Sequence, residues 1–220
     1  MIEAILPAEV SSAEAFEDRP DEALFPEEEA VVSNAVDRRR REFTTGRACA
    51  RQALAALGVP PAPLLPGARR EPLWPAGVVG SITHCDGYRA AAVARDDDIA
   101  SIGIDAEPNE PLPDGVLRIV SLPEERLWLE RLGTGAPGDA CWDRLLFCLK
   151  ESVFKAWYPL VQRELGFTEA MVEVDPAERT FAARLLVDGA ALPDGRPLTG
   201  FTGRWLARDG LILTSIVVPA

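Results

Sequence analysis

The stretch GIDAE, residues 103–107, carries two acids one residue apart, directly after a hydrophobic run that ends at Ile104. The run predicts a strand over 99–104, and alternate side chains of an extended chain point to the same side. We therefore expect Asp105 and Glu107 to project together, which is unfavourable unless a positive group lies between them. Water with a nearby arginine could meet that need, and so could a divalent cation. The alternative is an ordinary strand end that runs into a polar turn.

The patterns on either side of GIDAE follow the same order and predict an α+β fold of two similar halves. In the first half they predict helices over 27–36 and 44–57, a Pro- and Gly-rich loop over 60–77, and strands over 78–82, 88–94 and 99–104. In the second half they predict helices over 123–132 and 139–158, a loop over 133–138, and strands over 171–174, 179–186, 199–207 and 211–217. Each half would pack a helix on a small, mainly antiparallel sheet. If the halves span 1–103 and 104–220, GIDAE lies at their junction, where clefts commonly form.

The charge of the chain is negative overall and unevenly spread. The net charge is −12, and residues 1–37 hold eleven acids against one base. The next stretch, 38–51, holds six arginines and one glutamate. Nucleic acids reward a basic surface, so we expect no nucleic-acid partner. A local basic cluster suits a small anionic ligand better, although Arg47 and Arg51, which share a helical face, could equally form a solvated stripe.

Size and composition predict a globular protein of one large or two small domains. The chain has 220 residues, a mass of 23.8 kDa and 47% hydrophobic residues. No apolar run approaches the roughly 20 residues of a membrane helix, and the N-terminus lacks the basic region of a signal peptide. The four cysteines lack the close pairs of a zinc site. We therefore expect reduced thiols, no membrane partner and a cytoplasmic location.

Two further motifs carry residues suited to catalysis. GSITHCDG, residues 80–87, holds the single histidine, His84, at the end of a predicted strand, although a lone histidine is often structural. FCLKESVFKAW, residues 147–157, places Glu151 and Lys155 four residues apart on one helical face. The alternative for that pair is an exposed salt bridge worth a few tenths of a kcal/mol, roughly.

Taken together and in this order, GSITH, GIDAE and LKESVFKAW resemble the 4′-phosphopantetheinyl transferase superfamily. The resemblance runs from about Arg38 to Trp157 and is greatest to the enterobactin/surfactin-type enzymes of the bacterial siderophore and secondary-metabolite branch. It implies a monomer with two α+β halves related by a pseudo-twofold axis. The implied reaction transfers the 4′-phosphopantetheine arm of coenzyme A to a serine of an apo acyl, peptidyl or aryl carrier protein and releases 3′,5′-ADP. The implied role is in natural-product or siderophore biosynthesis.

The resemblance also implies the site residues and a magnesium ion. The implied metal ligands are Asp105, Glu107 and Glu151. The implied catalytic residues are Glu151, Lys155 and His84. The implied coenzyme A contacts are Arg47 and Arg51 at the 3′-phosphate, Arg70 beside the adenine, and Thr83, His84 and Lys155 at the phosphates. Residues 1–103 would thus hold the adenine side of coenzyme A, and residues 104–220 the metal and the catalytic helix. The base would be Glu151, directly or through a metal-bound water.

Two other classes of function remain open from the residues alone. A different magnesium phosphotransferase or phosphohydrolase would turn over a nucleotide without a carrier. A non-catalytic binding module would keep the arginines and have no need of three acids. A carrier protein is usually acidic around its serine, so docking onto this chain must rely on a local basic or apolar patch.

Overall fold

The computed structural model describes residues 1–19, 21–133, 140–188, 190–192 and 195–220. The strands are β1 (Ser11–Ala15), β2 (Val78–Cys85), β3 (Tyr88–Arg95), β4 (Ile99–Pro108), β5 (Ala170–Asp175), β6 (Thr180–Leu185), β7 (Gly200–Arg208) and β8 (Leu211–Pro219). The helices are α1 (Pro26–Val31), α2 (Asp37–Ala56), α3 (Val116–Val120), α4 (Pro123–Gly133) and α5 (Trp142–Val161). Short 3₁₀ helices lie at Ile2–Ile5 and Phe167–Glu169.

The strands form two antiparallel sheets, which confirms the predicted α+β class. The first sheet has the order β1-β3-β2, and the second has the order β4-β8-β7-β6-β5. The predicted grouping of the strands over 78–82, 88–94 and 99–104 in one first-half sheet is wrong in one respect, because β4 pairs with β8 and not with β3. The third strand of the first sheet is β1, whose sequence SSAEA lacks the β-branched and aromatic residues that mark a strand. Packing against α2 buries Ala13 and Ala15 instead.

The acids of GIDAE lie within β4 and not at its end. The strand continues to Pro108, and residues 105–108 pair with residues 211–214 of β8. The strand extends because the apolar β8 offers backbone partners along this whole length. The boundary placed between residues 103 and 104 falls inside β4, so sheet membership divides the halves between β3 and β4.

The two long helices differ from the predicted ones at their ends. The first, α2, begins at Asp37, seven residues before the predicted start at 44, so the arginine run is helical. Arginine favours helices even where no apolar periodicity reveals one. At its other end, α5 runs through Pro159 to Val161. Of the predicted loop over 133–138, Gly133 belongs to α4, and residues 134–138 lie outside the described residues, as does the predicted helix start at Asp139.

The strand β4 is covered on one side by α5 and is flanked by β2. A side chain at Gly103 would overlap the backbone of Ser152 and Ala156, so glycine allows the helix to approach. On the other flank, the hydroxyls of Ser81 and Thr83 accept hydrogen bonds from backbone N–H groups of β4. The strand is therefore the element at which the two halves meet.

The largest apolar core lies between α5 and the five-stranded sheet. It includes the fully buried Trp157 of α5 and Trp205 of β7. Burial on this scale fixes the face that α5 turns toward β4. Among the described residues, no helix is long and apolar enough to cross a membrane.

Candidate active site

Two adjoining cavities share the lining residues Arg70, Pro72 and Ile82. The first has a volume of about 470 Å³ and is lined by residues of both halves, including Arg70, Glu151 and Lys155. The second has a volume of about 360 Å³, and its polar lining residues include Arg39, Arg47, Arg70 and His84. Because Arg70 lines both, a single extended ligand could reach from one cavity into the other.

Asp105 is buried behind the first cavity and contacts one of its lining residues, Lys155. Its side-chain atom Oδ1 accepts hydrogen bonds from Lys155 Nζ at 2.6 Å and from Thr83 Oγ1 at 3.1 Å. The second oxygen, Oδ2, is buried without a hydrogen-bond partner in the described part of the chain. The thiol of Cys148, a weak donor, lies nearby, and burial followed by the Asp105 charge holds the pKa of that thiol well above its usual range. A buried carboxylate oxygen left this way is costly unless a ligand meets it.

The other two acids lie close enough to Asp105 to repel it. Burial, and then the Asp105 charge, raises the pKa of Glu107. The same two causes raise the pKa of Glu151. The negative charge of Glu107 is partly compensated by Arg144, whose Nη1 donates a hydrogen bond to Glu107 Oε2 at 2.8 Å. The pKa of Lys155 is raised, because its carboxylate neighbours outweigh its burial. The cluster is therefore short of positive charge.

The acids suit a hard cation, although they are not gathered around one point. In the stretches described, no group of three or more His, Cys, Asp or Glu side chains is arranged to hold a metal ion. Magnesium nevertheless prefers one or two carboxylates completed by phosphate and water. Asp105 Oδ2 and the repelled carboxylate of Glu151 fit that requirement, and Glu107 would be shared with Arg144.

Acidic residues divide the arginines of α2 into two groups. Four of these arginines pair with acids: Arg38 with Glu42, Arg40 with Glu29, Arg41 with Asp18, and Arg51 with Glu28. Arg39 and Arg47 line the second cavity instead, although Arg39 also lies 3.8 Å from Glu42. The N-terminal acids thus neutralise part of the arginine run and leave two of its members facing the ligand space.

Arg47 and Arg51 point to different places despite their shared helical face. Arg47 is buried, donates from Nε to the Leu64 carbonyl at 2.7 Å, and has its pKa lowered to about 10 by burial. Arg51 donates from Nη1 to both carboxylate oxygens of the fully buried Glu28, at 3.0 and 3.2 Å. The structure therefore brings Arg47 to the cavity and commits Arg51 to an internal ion pair.

His84 faces the second cavity beside Arg39. Its Nε2 lies 3.0 Å from Arg39 Nη1, and because a guanidinium can only donate, Nε2 accepts and the ring proton lies on Nδ1. Nδ1 is 3.7 Å from Glu42 Oε2. Burial, and also the Arg39 charge, lowers the pKa of His84 despite the opposing effect of Glu42. An anion in this cavity would reverse that effect and favour the imidazolium.

Thr83 faces away from the second cavity and is 1% exposed. Its hydroxyl donates to Asp105 Oδ1 and accepts from the Ala106 N–H at 3.0 Å. The geometry therefore places Thr83 at the acid cluster, apart from the coenzyme A contacts implied for it. Its neighbour His84 lies on the opposite face of β2, as alternation requires.

The sequence patterns did not identify two residues that lie at the site, Arg39 at the second cavity and Arg144 beside Glu107. Arg39, Phe43 and Arg47 lie four residues apart and so share one face of α2, but that signal needs the helix to begin before residue 39. Arg144 lies seven residues before Glu151 on α5, which also returns it to the same face. The run of four arginines gave no reason to choose one of them.

Two family models match the chain, one to each half. The 4′-phosphopantetheinyl transferase N-terminal domain matches residues 27–94, and the 4′-phosphopantetheinyl transferase superfamily matches residues 101–196. Similar proteins include the 4′-phosphopantetheinyl transferase Svp of Streptomyces mobaraensis, 60% identical over 223 residues, which cover 100% of this chain and 90% of Svp. Npt of Nocardia iowensis is 52% identical, with 98% and 99% covered. PptT of Mycobacterium tuberculosis is 48% identical, with 99% and 98% covered.

Proposed function

Because the chain belongs to the 4′-phosphopantetheinyl transferase superfamily, we propose that it transfers the 4′-phosphopantetheine arm of coenzyme A to a serine hydroxyl of an apo carrier protein. The observation that carries this proposal is the junction at Arg70 of a cavity lined by arginines with a cleft lined by Glu151 and Lys155. Coenzyme A has a phosphate-bearing nucleotide end and a reacting pyrophosphate, and it needs two such adjoining regions.

The arginine-lined cavity would hold the nucleotide end of coenzyme A. Arg39 and Arg47 offer guanidinium groups that can grip the 3′-phosphate with paired hydrogen bonds. His84 would add a third contact and gain a proton as the phosphate binds. Arg70, which lines both cavities, would lie between the 3′-phosphate and the pyrophosphate. Arg51 is left out of this set because Glu28 already holds it.

The carboxylate and lysine cluster would carry out the transfer. The serine oxygen forms a bond to the phosphorus that carries the pantetheine arm, and the bond from that phosphorus to 3′,5′-ADP breaks. Lys155, which lines the first cavity, would stabilise the negative charge on the pyrophosphate. Glu151 would accept the serine proton, directly or through water. Burial and the Asp105 charge raise the pKa of Glu151, whereas a bound cation would oppose that rise. Proton transfer through water therefore suits a glutamate that also holds the metal.

Magnesium would be the cofactor, held by Asp105 and Glu151 with help from Glu107. When bound, the ion supplies positive charge to the pyrophosphate and to the leaving 3′,5′-ADP. The orphaned Asp105 Oδ2 supports this assignment, since it needs a partner that the described residues do not provide.

The mass of the carrier protein tests the proposed reaction. The chain is incubated with coenzyme A, magnesium and a panel of apo acyl, peptidyl and aryl carriers, and each carrier is then weighed. We expect one carrier class or more to gain the mass of one phosphopantetheine arm, with 3′,5′-ADP released in equal amount. Release of a nucleotide product without any carrier would instead favour the phosphohydrolase alternative. The carrier class gaining mass would also test the proposed role in siderophore or other natural-product biosynthesis.

A further inference from the structure

The Thr83 hydroxyl joins the two halves of the molecule at the acid cluster. It belongs to β2 of the first sheet, yet both of its hydrogen bonds go to β4 of the second sheet. It donates to Asp105 Oδ1 at 3.1 Å and accepts from the Ala106 N–H at 3.0 Å. Since a hydroxyl has one hydrogen to donate, that hydrogen is committed to Asp105.

Both donors to Asp105 act on the same oxygen. Lys155 Nζ and Thr83 Oγ1 each donate to Oδ1, from α5 on one side and β2 on the other. Two donors from different elements fix the rotation of the carboxylate. The consequence is that Oδ2 stays buried and receives no hydrogen bond from a nitrogen or oxygen donor in the part of the chain that is described, while the weak thiol donor of Cys148 interacts with the same carboxylate.

The contact at Thr83 is one of two, among the described residues, in which a hydroxyl of β2 accepts a hydrogen bond from a backbone N–H of β4. One step earlier on the same face of β2, Ser81 Oγ accepts from the Ile104 N–H at 3.2 Å. Alternate hydroxyls of β2 thus satisfy alternate N–H groups of β4, in place of a backbone ladder. His84, the next residue after Thr83, faces the arginine-lined cavity. The strand therefore connects the anion cavity to the acid cluster.

We propose that Thr83 is a positioning residue, which orients Asp105 through Oδ1 so that Oδ2 is kept free for the metal ion. This inference rests on the proposed function, because it assigns the ion at Asp105 to the transfer reaction. It differs from the implied phosphate contact, since a threonine committed to β4 acts on coenzyme A only through Asp105. Partners that orient a metal ligand from behind typically contribute about 10–100-fold to metal affinity or activity.

The test removes the hydroxyl and follows magnesium. Thr83→Val keeps the shape and loses the hydroxyl, whereas Thr83→Ser keeps the hydroxyl. Thr45→Val is the matched control, because Thr45 is also buried and its hydroxyl also accepts a backbone N–H, from Arg19 at 2.8 Å. The readouts are magnesium binding by calorimetry in the presence of coenzyme A, coenzyme A binding without metal, and the magnesium concentration that half-saturates transfer.

We expect Thr83→Val to weaken magnesium binding about 10–100-fold and to change metal-free coenzyme A binding little. Thr83→Ser should restore most of the loss, and Thr45→Val should leave magnesium binding as in the wild type. Unchanged magnesium binding in Thr83→Val would overturn the proposal, and so would an equal loss in Thr45→Val. A matching loss of metal-free coenzyme A binding would show a phosphate contact instead.

If Thr83→Val does not fold, Thr83→Ala makes the same comparison without a methyl group against the Ala106 N–H. The calorimetry needs no carrier, so it reports on Thr83 even when transfer is not observed. Failure of the wild type to modify any carrier would count against the proposed function, whereas wild-type magnesium binding by Thr83→Val would count against the role of Thr83 alone.

Discussion

Lys155 Nζ lies 2.6 Å from Asp105 Oδ1, and this ion pair ties α5 to β4 at the meeting point of the two halves. Lys155 also donates to the Ile104 carbonyl at 3.1 Å, so it keeps a backbone partner even without the carboxylate. Loss of the Asp105 charge would therefore leave the Lys155 ammonium group with the Ile104 carbonyl as a hydrogen-bond acceptor.

Asp105→Asn should remove transfer while leaving the chain folded. The change keeps the shape of the side chain and removes the charge that Lys155 and a metal ion need. We expect transfer to fall by 100-fold or more, on the order of the loss of a well-placed electrostatic group, and unfolding stability to fall by about 1–3 kcal/mol. Carrier mass gain and chemical denaturation measure the two effects.

The control for Asp105→Asn is Glu173→Gln, which removes an exposed acid of β5. It should change neither quantity much. Comparable mass gain in Asp105→Asn and the wild type would show that the acids of GIDAE take no part in the chemistry.

Arg39→Ala and Arg51→Ala should have effects of different kinds. Loss of Arg39 should weaken binding of coenzyme A more than binding of its 3′-dephospho analogue, because Arg39 faces the cavity. Loss of Arg51 leaves the fully buried Glu28 without its cation, which costs up to about 3–5 kcal/mol for a buried pair. Calorimetry with both ligands and thermal denaturation separate the two. Equal discrimination between the ligands by both variants would contradict this division of roles.

Gly103→Ala should damage the site through the position of α5. The added methyl group would meet the backbone of Ser152 and Ala156, and the helix would have to move outward. Such overpacking costs about 1–3 kcal/mol, and the shift would also draw Glu151 and Lys155 away from β4. Gly133→Ala is the control, since a methyl group there meets no atom of the described residues within 4 Å. Wild-type transfer in Gly103→Ala would show that α5 accommodates the methyl group without displacing Glu151 and Lys155.

Glu151→Gln should lose transfer and gain stability at neutral pH. Burial, and then Asp105, raises the pKa of Glu151 above its value in the unfolded chain, so the folded state binds the proton more tightly. Stability then falls as pH rises from the unfolded pKa through the folded one, and glutamine removes that loss. Denaturation at pH 4 and pH 7 checks the sign. The gain should be present at pH 7 and small at pH 4, and a gain confined to pH 4 would refute it.

Removal of magnesium should separate binding from turnover. A chelator should abolish carrier mass gain and leave coenzyme A bound, because the arginines of the second cavity would bind the 3′-phosphate without a metal. Calorimetry with coenzyme A in the presence of chelator makes the measurement. Transfer that persists in chelator, and after dialysis against it, would rule out the proposed cofactor.

Sequence spacing predicted the elements better than it predicted what lies opposite them. The periodicity of α5 and the alternation of β4 depend only on local sequence, so Asp105 and Lys155 could be named in advance. The ion pair of Arg51 with Glu28 could not, because it joins residues 23 positions apart through a fold that the spacing does not reveal. The contacts of Thr83 could not be predicted for the same reason, since its burial depends on β4 lying beside β2.

The N-terminal acids that pair with α2 act as fixed counterions of its arginines. Salt ions would screen the exposed pairs of Arg40 with Glu29 and of Arg41 with Asp18, much as they displace counterions from a polyelectrolyte. Rising ionic strength would then release these arginines while it weakens the grip of Arg39 and Arg47 on a phosphate. The two effects oppose each other. The affinity for coenzyme A would therefore depend on salt concentration less steeply than the six arginines of residues 38–51 would suggest.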